Sequence, residues 1–298
     1  MSTKQHWFWG SVANFKSLFV RIGLAVVMIN LLSVADSTEN QDSLHTGSEI
    51  NKLTETNACE GCDLSETYLD GAYLHGTNLS GANLSKAILS GTTLSAANLS
   101  GANLEYANLS RAKLRYANLS GANLTRANLE NADLTGAILN RTTLENAYLN
   151  YANVTGATLE DANLIEANLS GANFRYAKLT RANLTRAYLS GTNLNGINLR
   201  TTNLYGANVN GANLSGVDLR TTNFKNANLS GVNLSNANLS GANLSGANLR
   251  DANLSGADLS NTDLSGVKLV TTTLTNAKLD GVKYCKTLMP GGVRNDDC

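Results

Sequence analysis

Ala82-Asn83-Leu84-Ser85-Lys86, Ala102-Asn103-Leu104-Glu105-Tyr106 and Ala242-Asn243-Leu244-Ser245-Gly246 are three samples of one five-residue pattern. With the central leucine as position i, stepping by five from Leu64 to Tyr284 gives 45 units without an insertion or deletion. Forty centres are Leu, and the other five are Val154, Phe174, Val209, Phe224 and Tyr284. Position i−2 holds 30 Ala, nine Thr, four Val, Ile197 and Cys62, all small or β-branched. A repeat of this kind decides the fold before any other feature.

A period of five fits neither a helix face nor a simple strand. It suits a chain that turns a corner every five residues. Positions i−2 and i lie two apart, so in an extended segment they point to the same side. Positions i−1, i+1 and i+2 carry Asn, Ser, Gly and most of the charge. Ser and Gly are turn residues, and Gly accepts positive φ without a Cβ clash. Four corners close a square coil with Leu and Ala inside and polar side chains outside. One coil alone buries almost nothing, so stability must come from stacked neighbours.

This run of A-(N/D)-L-(S/T)-G units, about three quarters of the chain, resembles the pentapeptide-repeat proteins. The resemblance implies an all-β fold, a right-handed quadrilateral β-helix, with i and i−2 inward. That agrees with the polarity split. The rod is expected over residues 62–284 as about eleven coils, roughly 54 Å long at ~4.8 Å per coil. A strictly phased large apolar residue also separates this chain from disordered low-complexity tracts.

Residues 1–35 read as a signal peptide or signal anchor. Lys4, Lys16 and Arg21 precede the apolar run Ile22 to Leu32, and Ser33-Val34-Ala35 has the small-x-small form of a cleavage site. The run is short for a membrane span, which needs about 20 apolar residues. If uncleaved, it is the one membrane contact expected. Residues 36–61 read as a polar linker and N-terminal cap, with a short helix starting at Ser48 as N-cap and carrying Ile50 and Leu53. An open β-helix needs covered ends, because exposed ladder groups invite pairing. Residues 285–298, with the only proline, Pro290, are expected to form an irregular C-terminal cap.

The four cysteines are Cys59, Cys62, Cys285 and Cys298. With the rod ends roughly 54 Å apart, and disulfide Cα atoms within about 7 Å, only 59–62 and 285–298 can pair inside one chain. The same distance excludes a single four-cysteine zinc site. Cys62 also fills an i−2 slot, so a small buried apolar residue is one competing reading. A redox-active C-x-x-C is another. Cys59-Glu60-Gly61-Cys62-Asp63-Leu64 and Cys285-x-x-x-x-Pro290 resemble exported pentapeptide-repeat proteins of photosynthetic bacteria. That resemblance implies a periplasmic or thylakoid-lumen location; Gly291-Gly292 departs from the Asp-Gly of that tail. Export makes disulfides chemically favourable.

Little in the sequence speaks of catalysis. Of three histidines, His6 and His45 precede the rod and His75 takes an outward i+1 position. No nucleophile–base constellation can be assembled from them, and no cofactor or metal is expected. A regular convex rod offers no obvious cleft. Lys+Arg and Asp+Glu are equal at 23 each, so no nucleic acid is expected as a partner.

The surface is not uniform. Residues 105–188 hold nine Lys/Arg, seven Asp/Glu and six of the ten tyrosines. Tyr106, Arg111, Arg115, Tyr116, Arg126, Glu166, Arg175, Tyr176 and Arg186 are the candidate interaction patch, since Tyr and Arg dominate binding hot spots. Tyr106 and Arg126 are one coil apart, as are Glu166 and Arg186, so each pair should stack. The leading expectation is a non-enzymatic exported scaffold or interaction rod for a protein partner the sequence does not identify. One alternative is a DNA mimic protecting a topoisomerase, which some family members resemble. It needs a strongly negative surface, whereas residues 63–284 hold 17 basic and 15 acidic residues. The other is an exported C-x-x-C thiol oxidoreductase.

Overall fold

The computed structural model describes residues 20–22, 25–27, 42–289 and 291–298. Most of the expected targeting segment lies outside them. Within it, β1 (Val20–Ile22) and β2 (Ala25–Val27) pair antiparallel, Val20 opposite Val27. Among the described residues no helix is long and apolar enough to cross a membrane.

Why the unit is Ala-Asn-Leu-Ser-X becomes clear by following its five backbone N–H groups, none of which can be buried unpaired without cost. In the unit around Leu84, Leu84 donates to Asn103 and Lys86 to Glu105 in the next coil, at 2.6 and 2.8 Å. Asn83 donates back to Cys62 (2.8 Å), and Ala82 closes the corner onto Leu79 (3.1 Å). Only Ser85 N–H lacks a backbone acceptor, and the Asn83 side-chain oxygen takes it at 3.2 Å. Asparagine at i−1 is therefore a structural member of every such corner. Its amide also donates to the asparagine one coil earlier, as Asn103 does to Asn83 at 3.2 Å.

Parallel bridges join residues twenty apart, from Ala58 with Asn78 to Lys268 with Leu288. Each coil therefore has four sides, here numbered by their inward leucines: side 1 with Leu64, side 2 with Leu69, side 3 with Leu74, side 4 with Leu79. Inward residues from Leu64 to Leu269 are buried. Inward threonines keep their hydroxyls bonded: Thr142 donates to the Leu119 carbonyl (3.0 Å) and Thr222 to that of Leu199 (3.0 Å). That is how the interior tolerates them.

Both ends extend the register by one unit. Cys59 is fully buried in a leucine slot, and it is bonded to Cys62 around the first corner, with Cα atoms 5.2 Å apart. Before it, α1 (Asp42–Thr56) begins six residues earlier than the expected Ser48 start. Gly47 lies inside it at a cost of about 1 kcal/mol relative to alanine, offset by burial of Leu53 and packing of Ile50 on the core. Asn57, at φ 53°, ends the helix in the left-handed conformation favoured there. Its side chain accepts from Thr77 at 2.7 Å.

At the other end, the stretch expected to be irregular contains a hairpin. β3 (Thr287–Met289) continues the parallel ladder and pairs antiparallel with β4 (Gly292–Arg294). Asp297 bonds Tyr284 through N–H and carboxylate, at 2.8 and 2.7 Å, and Cys285 pairs with Cys298. The sulfurs could not have paired across the rod. Leu274 and Leu279, on sides 3 and 4 of the last coil, are only partly buried.

The ladder loosens in places, most of all between the coils of Leu194 and Asn213. Among the described residues, Leu194, Gly196, Leu199 and Thr201 make no short backbone bond to the following coil, nor do Asn213 and Asp218 to the preceding one, although the parallel bridges Asn193–Asn213 and Asn198–Asp218 persist. Ile197 and Val217 stack directly in the i−2 column of side 4, where alanine is the usual occupant. Two branched side chains crowd that column, and overpacking of this kind is costly in a dense core.

Candidate functional site

Every corner except that at Thr271 places position i+2 at positive φ, in the left-handed region. A residue other than Gly there costs about 1 kcal/mol or more, and Asn or Asp somewhat less. Beyond Arg186 the occupants are Gly, Asn, Asp and Thr until Lys286. All nine Tyr and Arg held at positive φ fall between Tyr106 and Arg186. Glycine would fill those corners without that strain, so the concentration of Tyr and Arg there singles out a stretch of surface.

The register distributes the nine expected patch residues over three corners. Tyr106, Arg126, Glu166 and Arg186 share the corner between sides 1 and 2; Arg111 lies between sides 2 and 3; Arg115, Tyr116, Arg175 and Tyr176 lie between sides 3 and 4. They do not form a single patch, because sequence proximity within 84 residues winds four times round the rod. The stacked pairs do meet. Arg126 donates to the Tyr106 hydroxyl with its guanidinium 5.5 Å from the ring centre. Arg186 lies 3.5 Å from Glu166.

On the third corner one arrangement occurs twice, three coils apart. Arg115 lies over the Tyr116 ring and Arg175 over that of Tyr176, at 5.9 and 4.8 Å. Each ring also lies across a glycine one coil on, Gly136 and Gly196. On the fourth corner Arg181 grips Asp161 with two bonds of 2.7 Å. That bond holds the Asp161 carboxyl below its usual range. These groups, with Arg141 and Glu160, line a shallow recess of about 500 Å³. Exposed pairs of this kind add little stability.

Side 2 carries the most distinctive surface. Tyr148 and Tyr188 occupy i−1 positions two coils apart, where asparagine would have satisfied the corner N–H. Both rings are about half exposed, at 53% and 52%. With Asn146, Glu166, Asn168 and Ser170 they line a recess of about 330 Å³. Glu166–Arg186 lie at it on one corner and Tyr151 is on the other, with Tyr106–Arg126 and Arg111 one to two coils further along the same corners. Tyr148 and Tyr188 were not among the nine, yet their replacement of asparagine at i−1 is legible in the sequence.

Among the described residues one group could hold a metal ion, Glu49 with Cys59 and Cys62; the two sulfurs are paired to each other here. His75 is exposed.

Residues 59–283 match the family described as pentapeptide repeats, in overlapping copies. The chain belongs to that family, and its fold is a right-handed β-helix. Among solved structures it is similar to HetL from the cyanobacterium Nostoc sp. strain PCC 7120, a pentapeptide repeat protein involved in heterocyst differentiation regulation. The two are 36% identical over 77% of this chain and 90% of that one, with a TM-score of 0.43. A pentapeptide repeat protein from the Arabidopsis thaliana thylakoid lumen is 29% identical over 36% of this chain and 65% of that one, TM-score 0.20. QnrB1, a plasmid-mediated fluoroquinolone resistance protein, is 18% identical over 76% and 89%, TM-score 0.26. No curated protein matches the chain.

Proposed function

We propose that the chain is an exported, non-enzymatic rod that docks a protein partner on side 2, between the coils of Tyr106 and Tyr188. The observation that carries this is the pair of half-exposed rings of Tyr148 and Tyr188 standing in asparagine positions over a recess on side 2, with Tyr106, Arg111, Arg126, Tyr151 and Arg186 on its flanking corners. The partner meets two half-exposed tyrosine rings and a recess edged by both charge signs, the composition of a hot-spot cluster. No deep cleft accompanies it, which favours docking over catalysis. α1 serves as the cover of the first coil, and the hairpin at 287–294 covers part of the last.

Export is supported by two disulfides at the rod ends and by the basic-then-apolar segment of residues 1–35. A DNA mimic is disfavoured by the pairing of acids with bases along the corners, as in Glu66–Lys86 and Asp161–Arg181. A thiol oxidoreductase is disfavoured by the burial of both sulfurs of the Cys59–Cys62 pair.

The test is photo-crosslinking in the native compartment, with the reactive residue at Tyr148, Tyr188 or, on the same side but outside the strip, Asn228. A partner captured at the first two positions and not at the third supports docking. Equal capture at Asn228, or none at Tyr148 and Tyr188, overturns it. Mass spectrometry of the mature N-terminus tests export.

A further inference from the structure

The Cys59–Cys62 pair has surroundings that a disulfide does not use. Cys59 Sγ lies 3.4 Å from the Glu49 carbonyl and 3.5 Å from its Oε2. Lys52 Nζ lies 3.6 Å from Cys62 Sγ. A disulfide sulfur has no proton to donate to Glu49 and no charge to attract Lys52. A thiol would have the first, and a thiolate the second. All three groups come from one turn of α1 and the first corner of the rod, and the fold holds them together through buried Leu53.

We infer that, before oxidation or after reduction by a dithiol, Cys59, Cys62 and Glu49 form a binding site for a thiophilic divalent cation such as Zn²⁺ at the N-terminal end of the rod. The donor atoms already lie within 4.8 Å of one another. Tetrahedral Zn²⁺, with bonds of about 2.3 Å to sulfur and about 2.1 Å to carboxylate oxygen, sets those two donors about 3.6 Å apart. The Cys59–Glu49 separation is 3.5 Å. Reduction leaves the sulfurs free to part to the about 3.8 Å that two thiolates on one tetrahedral ion require, from Cα atoms 5.2 Å apart.

Charge also balances. Two thiolates and a carboxylate carry three negative charges, which a divalent cation and the Lys52 ammonium neutralise together. The exchange is closed in atoms and electrons. A dithiol gives up two electrons and becomes a disulfide, Cys59 and Cys62 become thiols, and the cation displaces their two protons to solvent. The fourth position is left to water. The site is independent of the docking surface on side 2. It ties the seating of α1 over the first coil to the oxidation state of the pair.

The experiment titrates Cd²⁺ into the full chain, reduced with a phosphine that is then removed, and reads the thiolate-to-metal charge-transfer absorbance. One Cd²⁺ per chain is expected, competed by Zn²⁺ and lost in Cys59→Ser. The oxidised chain should show no band. Cys285→Ser with Cys298→Ser should leave the band unchanged. Glu49→Gln, which keeps both sulfurs and the helix, should weaken the affinity tenfold or more. A band that survives Cys59→Ser or vanishes with the C-terminal cysteines overturns the site. An affinity unmoved by Glu49→Gln overturns the role of α1 in it.

Discussion

The ring of Tyr116 lies across Gly136, its counterpart on the same corner one coil on. A Cβ added to Gly136 would sit 2.5 Å from Cε1 of that ring. Gly136 is therefore constrained twice, by φ of +67° and by the ring above it. Gly121 shares the φ of +67° but has nothing within 4 Å. Gly121→Ala should cost about 1 kcal/mol, the left-handed penalty alone. Gly136→Ala should cost about 1–2 kcal/mol more, because the ring must leave its seat. Adding Tyr116→Ala should remove that excess, and denaturant unfolding of the single and double variants measures it.

Asn103 performs three tasks at once. Its oxygen accepts Glu105 N–H at 3.2 Å and the Asn123 amide at 3.3 Å, and its own amide reaches Asn83 at 3.2 Å. Asn103→Ala should destabilise the rod by about 1–3 kcal/mol, since it strips a half-buried N–H of its acceptor. Asn103→Asp keeps the acceptor and should cost less. The comparison of the two melting curves separates the corner bond from the amide ladder.

The interior was readable from the sequence because its signal is hydrophobic periodicity alone. Leu at i and Ala at i−2 announce which side faces in without knowledge of any contact. The outer positions were read only as polar, since the task of Asn83 emerges when each backbone donor is traced to its acceptor. The spread of the nine residues over three corners was not read for another reason. Tyr116 and Arg126 are close in sequence, yet they occupy opposite corners, and only sorting residues by the twenty-residue coil reveals it. The same sorting would have found Ile197 above Val217. Cys59 escaped because a cysteine in a leucine slot carries no pattern of its own. The extra turns of α1 before Gly47 escaped because glycine weakens a helix that tertiary packing then carries.

Ile197 offers a substitution that should reverse the usual sign. Removing a buried isoleucine ordinarily costs 2–5 kcal/mol, as a rough range. Here alanine is the residue that fits, and the larger side chain stacks on Val217 where six short ladder bonds are missing. Ile197→Ala with Val217→Ala should let the coils close. Native-state hydrogen exchange should then show the amides of Leu194, Leu199 and Asp218 slowed by tenfold or more. Unchanged or faster exchange would mean that the loosening has another cause.

The C-terminal end should respond to alkali through Tyr284. Burial pushes its phenol above the ordinary tyrosine value of 10.0, with Asp296 and Asp297 adding to the shift and the Arg294 guanidinium opposing it. That guanidinium lies 3.9 Å from the ring centre. Because the folded chain holds the proton more tightly than the unfolded one, the stabilisation is complete below the unfolded pKa of about 10. It is lost as pH rises through the higher folded value. In a phenolate absorbance titration, Tyr284 should ionise in a late step, above 10.0. Tyr284→Phe should abolish that late step. It should also flatten the loss of melting temperature above pH ~10, since the ring that packs against Arg294 no longer acquires a charge. A variant that melts with the same alkaline slope as the parent would show that the hairpin at 287–294 is not held by the neutral phenol.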